Sequence, residues 1–355
     1  MLKFKIGKKT ISNNSSTYFI ADIAANHDGN LNKAKELIYL CAEAGADAAK
    51  FQHFSAETIV SDFGFKSLGN KFSHQKKWKK SVFEVYKDAS INLNWTEELK
   101  KTCKLAGIEF FSSPYSKYMV DHLFPHVPAY KIGSGDITWL DMLSYIAKKN
   151  KPVILASGAS NFKEVVDAVN QIKKFNKNIV LMQCNTNYTA SRDNYKFINL
   201  NVLKEFKKKF PNIILGLSDH TFGHATVLGS IILGARVIEK HFTDNNNRTG
   251  PDHKFSMNPI TWKEMVDATR ELEISMGDGK KKIENNEKQT AVLQRRSIRV
   301  NTNIKKNQKI SKNDLIFLRP SPRNALPLKH WKKIVGKKIH RSIKSGDYIK
   351  KSDLK

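Results

Sequence analysis

Cysteine is scarce: Cys41, Cys103 and Cys184 are the three in 355 residues, far apart and each within an apolar pattern. That argues against a disulfide framework or a thiolate metal cluster, and reduced, buried thiols are expected. Long apolar runs are missing too. The most apolar stretch, 225–238, is broken by Gly229, Gly234 and Arg236 and falls short of the ~18 residues needed to span a bilayer. The opening MLKFKIGKKTISNNSS has basic residues but no apolar signal core, so a cytoplasmic protein without membrane partner or anchor is expected. Acidic residues are outnumbered, 33 against 61 Lys and Arg, giving a formal net charge of +28. Such an excess raises nucleic acid as a partner. The lysines are scattered, however (Lys76, Lys77, Lys79 and Lys80; Lys207 to Lys209; Lys280 to Lys282), without the interleaved aromatics of a single-strand binder. They read as a solvated surface that attracts small anions, with no nucleic-acid partner.

What is present is an alternation of short β-branched or apolar runs with longer segments of helical period, the pattern of βα units on a parallel sheet. Strands are predicted at 18–24, 47–52, 108–112, 129–133, 152–156, 179–184, 213–217 and 236–242. Helices are predicted at 31–44, 96–106, 117–123, 140–149, 162–174, 202–209, 225–233 and 262–276. Asn161 with Glu164, and Thr261 with Glu264, have the spacing of capping boxes. Eight such repeats point to an α/β fold of the TIM (β/α)8 barrel type, and no GxGxxG follows the first strand to favour a dinucleotide fold.

Two stretches break the rhythm. Residues 53–94, with Trp78, Phe83 and Tyr86, exceed an ordinary βα loop and predict a lid over the barrel mouth. A charged run around 277–296 reads as a linker. The expected organisation is a barrel domain at 1–280, a linker at 281–296 and a small β-rich domain at 297–355. In that last part NIKKNQKISKNDL (303–315) matches SIKSGDYIKKSDL (342–354), suggesting two like units about an approximate two-fold.

In a TIM barrel the chemistry gathers at the C-terminal ends of the strands. The polar residues there are Asp22, Asn26 and His27; Lys50 and Gln52; Ser113; Lys131, Ser134 and Asp136; Ser157; Thr186, Asn187 and Tyr188; Ser218, Asp219 and His220; and Glu239 with His241. Any one alone reads as a satisfied core group. Together they are a site candidate, because ionisable groups inside a barrel must be paired or bind something. Lys50 and Lys131, with Ser113, Ser134, Gly135 and Ser157, form the donor set of a phosphate site; the alternative is ion pairing of either lysine with Asp22, Asp136 or Glu239. His220 and His241 end the last two strands, so their imidazoles could share a cation such as Mn²⁺, Fe²⁺ or Zn²⁺, or could simply be core histidines.

At these residues the chain resembles the sialic acid synthase family. The segments that carry the likeness are ADIAANHDG (21–29), AAKFQ (48–52), FFSSPYS (110–116), AYKIGSGD (129–136), CNTNY (184–188), GLSDHTFG (216–223), VIEKHFTD (237–244), GPDHKFSMNP (250–259) and FLRPS (317–321). The resemblance implies a barrel followed by an antifreeze-like (SAF) domain. It also implies condensation of phosphoenolpyruvate with N-acetylmannosamine or a related acetamido sugar, with legionaminic or pseudaminic acid synthesis from a 2,4-diacetamido sugar as the alternative. His220 and His241 are then the ligands of a divalent metal, Mn²⁺ ahead of Mg²⁺, Co²⁺ or Zn²⁺. Lys50, Ser113, Lys131, Ser134 and Ser218 cradle phosphoenolpyruvate; Tyr188, Asp252 and Asp22 address the sugar; and Glu239 lies beside the metal and the aldehyde. Arg319 is implied to reach the sugar site of a second subunit in a domain-swapped homodimer. The chain departs from the family pattern at Asp22 and Asp136, where Glu is usual, at Ala156 before Ser157, at Thr186, and at His53, which reads as a lid or solvated residue.

The implied chemistry is attack of C3 of phosphoenolpyruvate on the aldehyde, water addition at C2 with Asp136 as base, and loss of phosphate. Two rivals remain at the level of sequence. One is a Schiff-base lyase using Lys50 or Lys131 on pyruvate. The other is an inactive barrel that binds polysaccharide or nucleic acid.

Overall fold

Along each strand between residues 18 and 241, side chains alternate between two apolar clusters, as the period of two requires. The structure is a computed structural model that describes residues 2–68, 75 and 78–354; Lys76 and Lys77 lie outside the described residues. It divides into two units, Met1–Met276 and Gly277–Lys355.

The first unit opens with a hairpin, β1 (Lys3–Ile6) and β2 (Lys9–Ser12), where the sequence suggested no element. Eight parallel strands follow: β3 (Tyr18–Asp22), β4 (Ala48–His53), β5 (Glu109–Pro114), β6 (Tyr130–Ile132), β7 (Val153–Ala156), β8 (Ile179–Cys184), β9 (Ile214–Asp219) and β10 (Ala235–His241). Their order, β5-β4-β3-β10-β9-β8-β7-β6, brings the last strand beside the first and makes a nearly closed barrel. Tyr18, Ile20, Phe111, Ile154, Val180, Met182 and Val237 fill the interior, packed with Phe4, Ile6 and Ile11 of the hairpin. The alternate residues, among them Phe19, Ala21, Phe51, Phe110 and Leu181, pack against the helices.

Those helices are α1 (Leu31–Glu43), α2 (Ala56–Ile59), α3 (Asp62–Leu68), α4 (Val82–Ala89), α5 (Thr96–Leu105), α6 (Lys117–Leu123), α7 (Leu140–Ala147), α8 (Phe162–Lys173), α9 (Val202–Lys209), α10 (Ala225–Ile232) and α11 (Pro259–Ser275). In α8 the Asn161–Glu164 capping box is formed, and Val165, Ala168, Val169 and Ile172 make the buried stripe. The expected box at Thr261 is corrected. Asn258 is the N-cap, its side chain accepts from Thr261 N, and Pro259 occupies the first turn, where a missing N–H costs nothing.

In the second unit the 277–296 stretch contains a helix, α12 (Lys288–Leu293), which the reading as a linker did not anticipate. β11 (Ser297–Val300) pairs antiparallel with β12 (Leu315–Leu318), and α13 (Trp331–Ile334) follows. The internal repeat is visible in the backbone. Ile304 and Ile343, equivalent positions, exchange N–H···O bonds of 2.9 Å in both directions. Asn301 N bonds Asp314 O and His340 N bonds Asp353 O, a second equivalent pair. Ile304, Ile310, Ile343 and Ile349 fill this unit's own core.

Candidate active site

Register decides which strand-end side chains meet. Asp22 is the cross-strand neighbour of Lys50 on one side and of His241 on the other, and Glu239 is the neighbour of Ser218. The Lys50 Nζ lies 2.6 Å from Asp22 Oδ2 and 3.9 Å from Glu239 Oε2; Lys131 Nζ lies 3.1 Å from Glu239 Oε1, which also accepts from Ser218 Oγ at 3.2 Å. Two ammonium groups and two carboxylates thus alternate at the mouth of the barrel, all four buried. The ion pairing weighed as an alternative for the lysines is present, with Asp22 and Glu239 as the partners. Burial pulls the Lys50 ammonium down, but Asp22 and Glu239 outweigh it and hold its pKa above the ordinary value. For Glu239 burial pushes upward, and the attraction of Lys131 and Lys50 brings the net shift below the usual carboxylate range. Asp22 moves up, because burial and Glu239 prevail over Lys50.

The pairing leaves atoms over. Asp22 Oδ1, Ser113 Oγ, Glu239 Oε2 and His241 Nδ1 are buried without a hydrogen-bond partner among the described residues. Such orphans are costly in a finished core, and their convergence on one strand-end layer marks a place for a polar ligand.

Beside this cluster, His220 and His241 stand with ring centroids 5.4 Å apart, walled by Tyr188 (4.6 Å from His220) and Phe255 (4.9 Å from His241). His220 Nδ1 is 3.0 Å from the Asn185 carbonyl and so carries a proton; burial lowers the pKa of this ring, but Cys184 and the carbonyl outweigh burial and hold it above the ordinary value. Burial, His220 and the nearby lysines hold His241 well below its ordinary pKa, so its imidazole is neutral. His241 Nε2 lies 3.6 Å from Asp22 and Nδ1 3.8 Å from Asp252. Two converging imidazoles, His241 with an unused buried nitrogen, suit a divalent cation, which would displace any proton that His220 shares with Cys184. No group of three His, Cys, Asp or Glu side chains converges as a complete shell among the described residues. A cation held by these two imidazoles would have its remaining positions open to substrate or water.

On the opposite side Ser134 Oγ accepts from Gly158 N at 3.0 Å, and Thr186 lies against the same glycine. A Cβ on Gly158 would fall 1.9 Å from Thr186 Oγ1 and 2.8 Å from Ser134 Oγ, so only glycine allows this approach. The Ser157 hydroxyl donates to Met182 O at 2.9 Å, which leaves it as an acceptor toward the site. Asp136 follows in a single 3-10 turn, Ser134–Asp136, half-buried, with its carboxyl pushed up to about 6 by burial. A cleft of about 200 Å³ beside His241 is lined by Gln52, Tyr115, Tyr188 and Asp252, and by Trp78 and Tyr86 of the 53–94 segment. Described residues of that segment thus form part of the cleft wall. Asp252 is pushed up to about 6, by burial first and then by Asp22.

Other strand-end residues serve the framework. Asp219 forms a buried ion pair with Lys240 and accepts from Thr221 and Thr226. Asn26 donates to Phe242 O and Ser256 Oγ, and His27 Nδ1 accepts from Gly29 N. His53 is neither a lid nor a solvated residue: fully buried on the helix side of β4, it bonds Ser112 Oγ at 2.6 Å and Thr96 Oγ1 at 3.0 Å. Arg319 is exposed in the second unit, just past β12. Sequence reasoning did not single out Phe255, Tyr115 or Cys184. Phe255 had a signal, a lone aromatic in the polar segment 243–258 after the last strand. Cys184 did not, because it continues an apolar strand, yet it ends β8 hydrogen-bonded to His220.

Residues 37–281 match the NeuB family and residues 295–355 match the SAF domain. The chain is 34% identical to the N,N'-diacetyllegionaminic acid synthase of Legionella pneumophila over 96% of this chain and 95% of the relative. It is 34% identical to the pseudaminic acid synthase of Campylobacter jejuni over 95% and 96%. Among solved structures, the N-acetylneuraminic acid (sialic acid) synthetase of Leptospira borgpetersenii, in complex with citrate, superposes with a TM-score of 0.70 at 27% identity, over 81% of this chain and 95% of that one. A nearly closed eight-stranded barrel with this strand-end constellation, followed by a SAF domain, places the chain in the NeuB family.

Proposed function

We propose that this chain is a nonulosonic (sialic-type) acid synthase that condenses phosphoenolpyruvate with the open-chain form of an acetamido sugar and releases phosphate. The observation that carries the reading is the buried strand-end layer of Lys50, Lys131, Asp22, Glu239, Ser113 and the two histidines, with four of its polar atoms left unpartnered. Relatives named as synthases of legionaminic and pseudaminic acid match nearly the whole chain. They favour, as the second reading, a 2,4-diacetamido acceptor over N-acetylmannosamine.

Lys50, Lys131, Ser113 and Ser134 bind the anionic phosphoenolpyruvate, with Ser218 beside Glu239 at the same level. Anion binding redistributes the ion pairs that Asp22 and Glu239 make in the free enzyme. Tyr188, Asp252 and Asp22 hold the sugar with its aldehyde near Glu239. His220 and His241 would hold a divalent cation, Mn²⁺ first, which when bound supplies Lewis-acid polarisation of that aldehyde. C3 of phosphoenolpyruvate then bonds to the aldehyde carbon, and Asp136 takes a proton from the water that adds at C2. Collapse of this tetrahedral centre breaks its C–O bond to phosphate. A carboxylate titrating at about 6 is ionised at pH 7 and still basic enough for that task. The lid excludes bulk water from the cationic intermediate. Arg319 completes the sugar site of a partner subunit in a domain-swapped homodimer.

The Schiff-base alternative is disfavoured by Lys50 itself, since an ammonium held above its ordinary pKa is a poor nucleophile. The test offers phosphoenolpyruvate with a panel of 2-acetamido and 2,4-diacetamido hexoses and measures phosphate and product mass. Turnover with one of them supports the proposal. No condensation with any, or a borohydride-trapped adduct with pyruvate, overturns it.

A further inference from the structure

The segment after β10 leaves the barrel wall, crosses the mouth and returns, with Thr243 N bonded to Met257 O and Met257 N to His241 O. At its far end it carries Asp252, whose carboxylate faces His241 across 3.8 Å and Ala25 N across 3.5 Å. Neither contact is short enough to fix a carboxylate. What holds this end lies next to it. His253 is completely buried, with Nδ1 2.7 Å from Thr243 Oγ1 and Nε2 3.1 Å from Asp28 Oδ1. The Asp28 carboxylate can only accept, so His253 Nε2 donates to it, while Nδ1 and the Thr243 hydroxyl share the second bond. The other Asp28 oxygen takes two N–H groups of Arg248, from Nε at 3.1 Å and from Nη2. Asp28 thus grips the segment on both sides of Asp252, at Arg248 and at His253, from the loop that joins β3 to α1.

Gly250 shows how closely this is fitted. A Cβ there would stand 2.6 Å from His253 Cδ2, 3.0 Å from Nε2 and 3.6 Å from Asp28 Oδ1. Three residues of the GPDH sequence have a role in this fit: Gly250 lets the ring pass, Asp252 lines the cleft, and His253 is the anchor.

We propose that Asp28 and His253 are positioning residues that hold Asp252 in the sugar site, so that Asp28, exposed enough to meet solvent, sets the affinity for the acceptor sugar through Asp252 without touching it. The inference rests on the sugar-site reading of the cleft given above.

The test compares Asp28→Ala, Asp28→Asn and Gly250→Ala with wild type in the full-length enzyme. Asp28→Ala is expected to raise the KM for the sugar by roughly 10-fold or more while moving the KM for phosphoenolpyruvate less than 2-fold, with Asp28→Asn intermediate. Gly250→Ala should match Asp28→Ala. Since Asp28 acts through Asp252, the Asp28→Ala/Asp252→Ala double variant should be no worse than Asp252→Ala alone. Equal effects on both substrates, or losses that multiply in the double variant, would overturn the proposal in favour of a general structural role. Hydrogen exchange of residues 248–253 gives a readout independent of turnover: faster exchange in Asp28→Ala, confined to this segment, is expected, and unchanged exchange defeats the clamp. A wild type that turns over none of the sugars while the clamp still shows in exchange would fail the proposed function and not the clamp.

Discussion

Lys50 and Asp22 are register partners on neighbouring strands, and their charged groups meet at 2.6 Å with side chains only 2% and 3% exposed. Taking two charges this far from water is tolerable only because each has the other, with Glu239 and Lys131 extending the chain. Removing one partner should therefore be worse than removing both. Lys50→Ala is expected to cost about 3–5 kcal/mol, as for other broken buried pairs, and to abolish phosphoenolpyruvate binding. The Lys50→Met/Asp22→Leu double variant should unfold at a higher denaturant midpoint than Lys50→Ala. Urea unfolding and calorimetric titration check both.

Loss of either imidazole should empty the cation site. After chelator treatment and reloading with Mn²⁺, wild type is expected to retain about one ion per chain, and His220→Ala or His241→Ala far less, by elemental analysis. Full occupancy in both variants would place the ion elsewhere.

Asp136 makes a prediction with a sign in pH. Its carboxyl is pushed up to about 6, so as a base it is lost as pH falls through that value, and kcat/KM should drop on the acidic side of pH 6. Asp136→Asn should lower turnover by roughly 10²–10⁴-fold with phosphoenolpyruvate binding intact. Phosphoenolpyruvate carrying ¹⁸O at the bridging position should yield labelled phosphate; unlabelled phosphate would mean attack at phosphorus.

The same group bears on stability. A carboxyl whose folded pKa is raised opposes folding where it is ionised: the penalty is absent below about pH 4 and full above about pH 6. Discounted for its partial exposure, relief of that penalty in Asp136→Asn should stabilise the protein by about 1–2 kcal/mol at pH 7.5 and by nothing at pH 3.5. Thermal unfolding at the two pH values decides it.

Arg319 is expected to act in trans. Heterodimers of an Arg319→Ala chain with a His220→Ala chain should recover part of the activity that each homodimer lacks, because one barrel keeps its histidines and receives an intact arginine. No recovery in verified heterodimers would assign Arg319 to its own chain's barrel.

The sequence by itself determined the architecture. Short, continuously apolar runs such as Ile179–Cys184, and helical stripes such as Val165, Ala168, Val169 and Ile172, mark the strands and helices, and eight such alternations admit few solutions. It also marked the strand ends where ionisable residues interrupt apolar runs, since charge inside a barrel wall demands a reason. Pairing was beyond it. Whether Lys50 meets Asp22 or Asp136, and which carbonyl takes the Ser157 hydroxyl, depends on the register and tilt of neighbouring strands, which no local pattern encodes. The same holds for His53, whose partners Ser112 and Thr96 arrive from other elements, and for Asp28 and His253, 225 positions apart in the chain and 3.1 Å apart in the fold. Hydrophobic burial is short-ranged in sequence and repeats with each element, so it can be read along the chain. The hydrogen bonds and ion pairs that give each polar group its role are set only when closure of the barrel brings distant strand ends together.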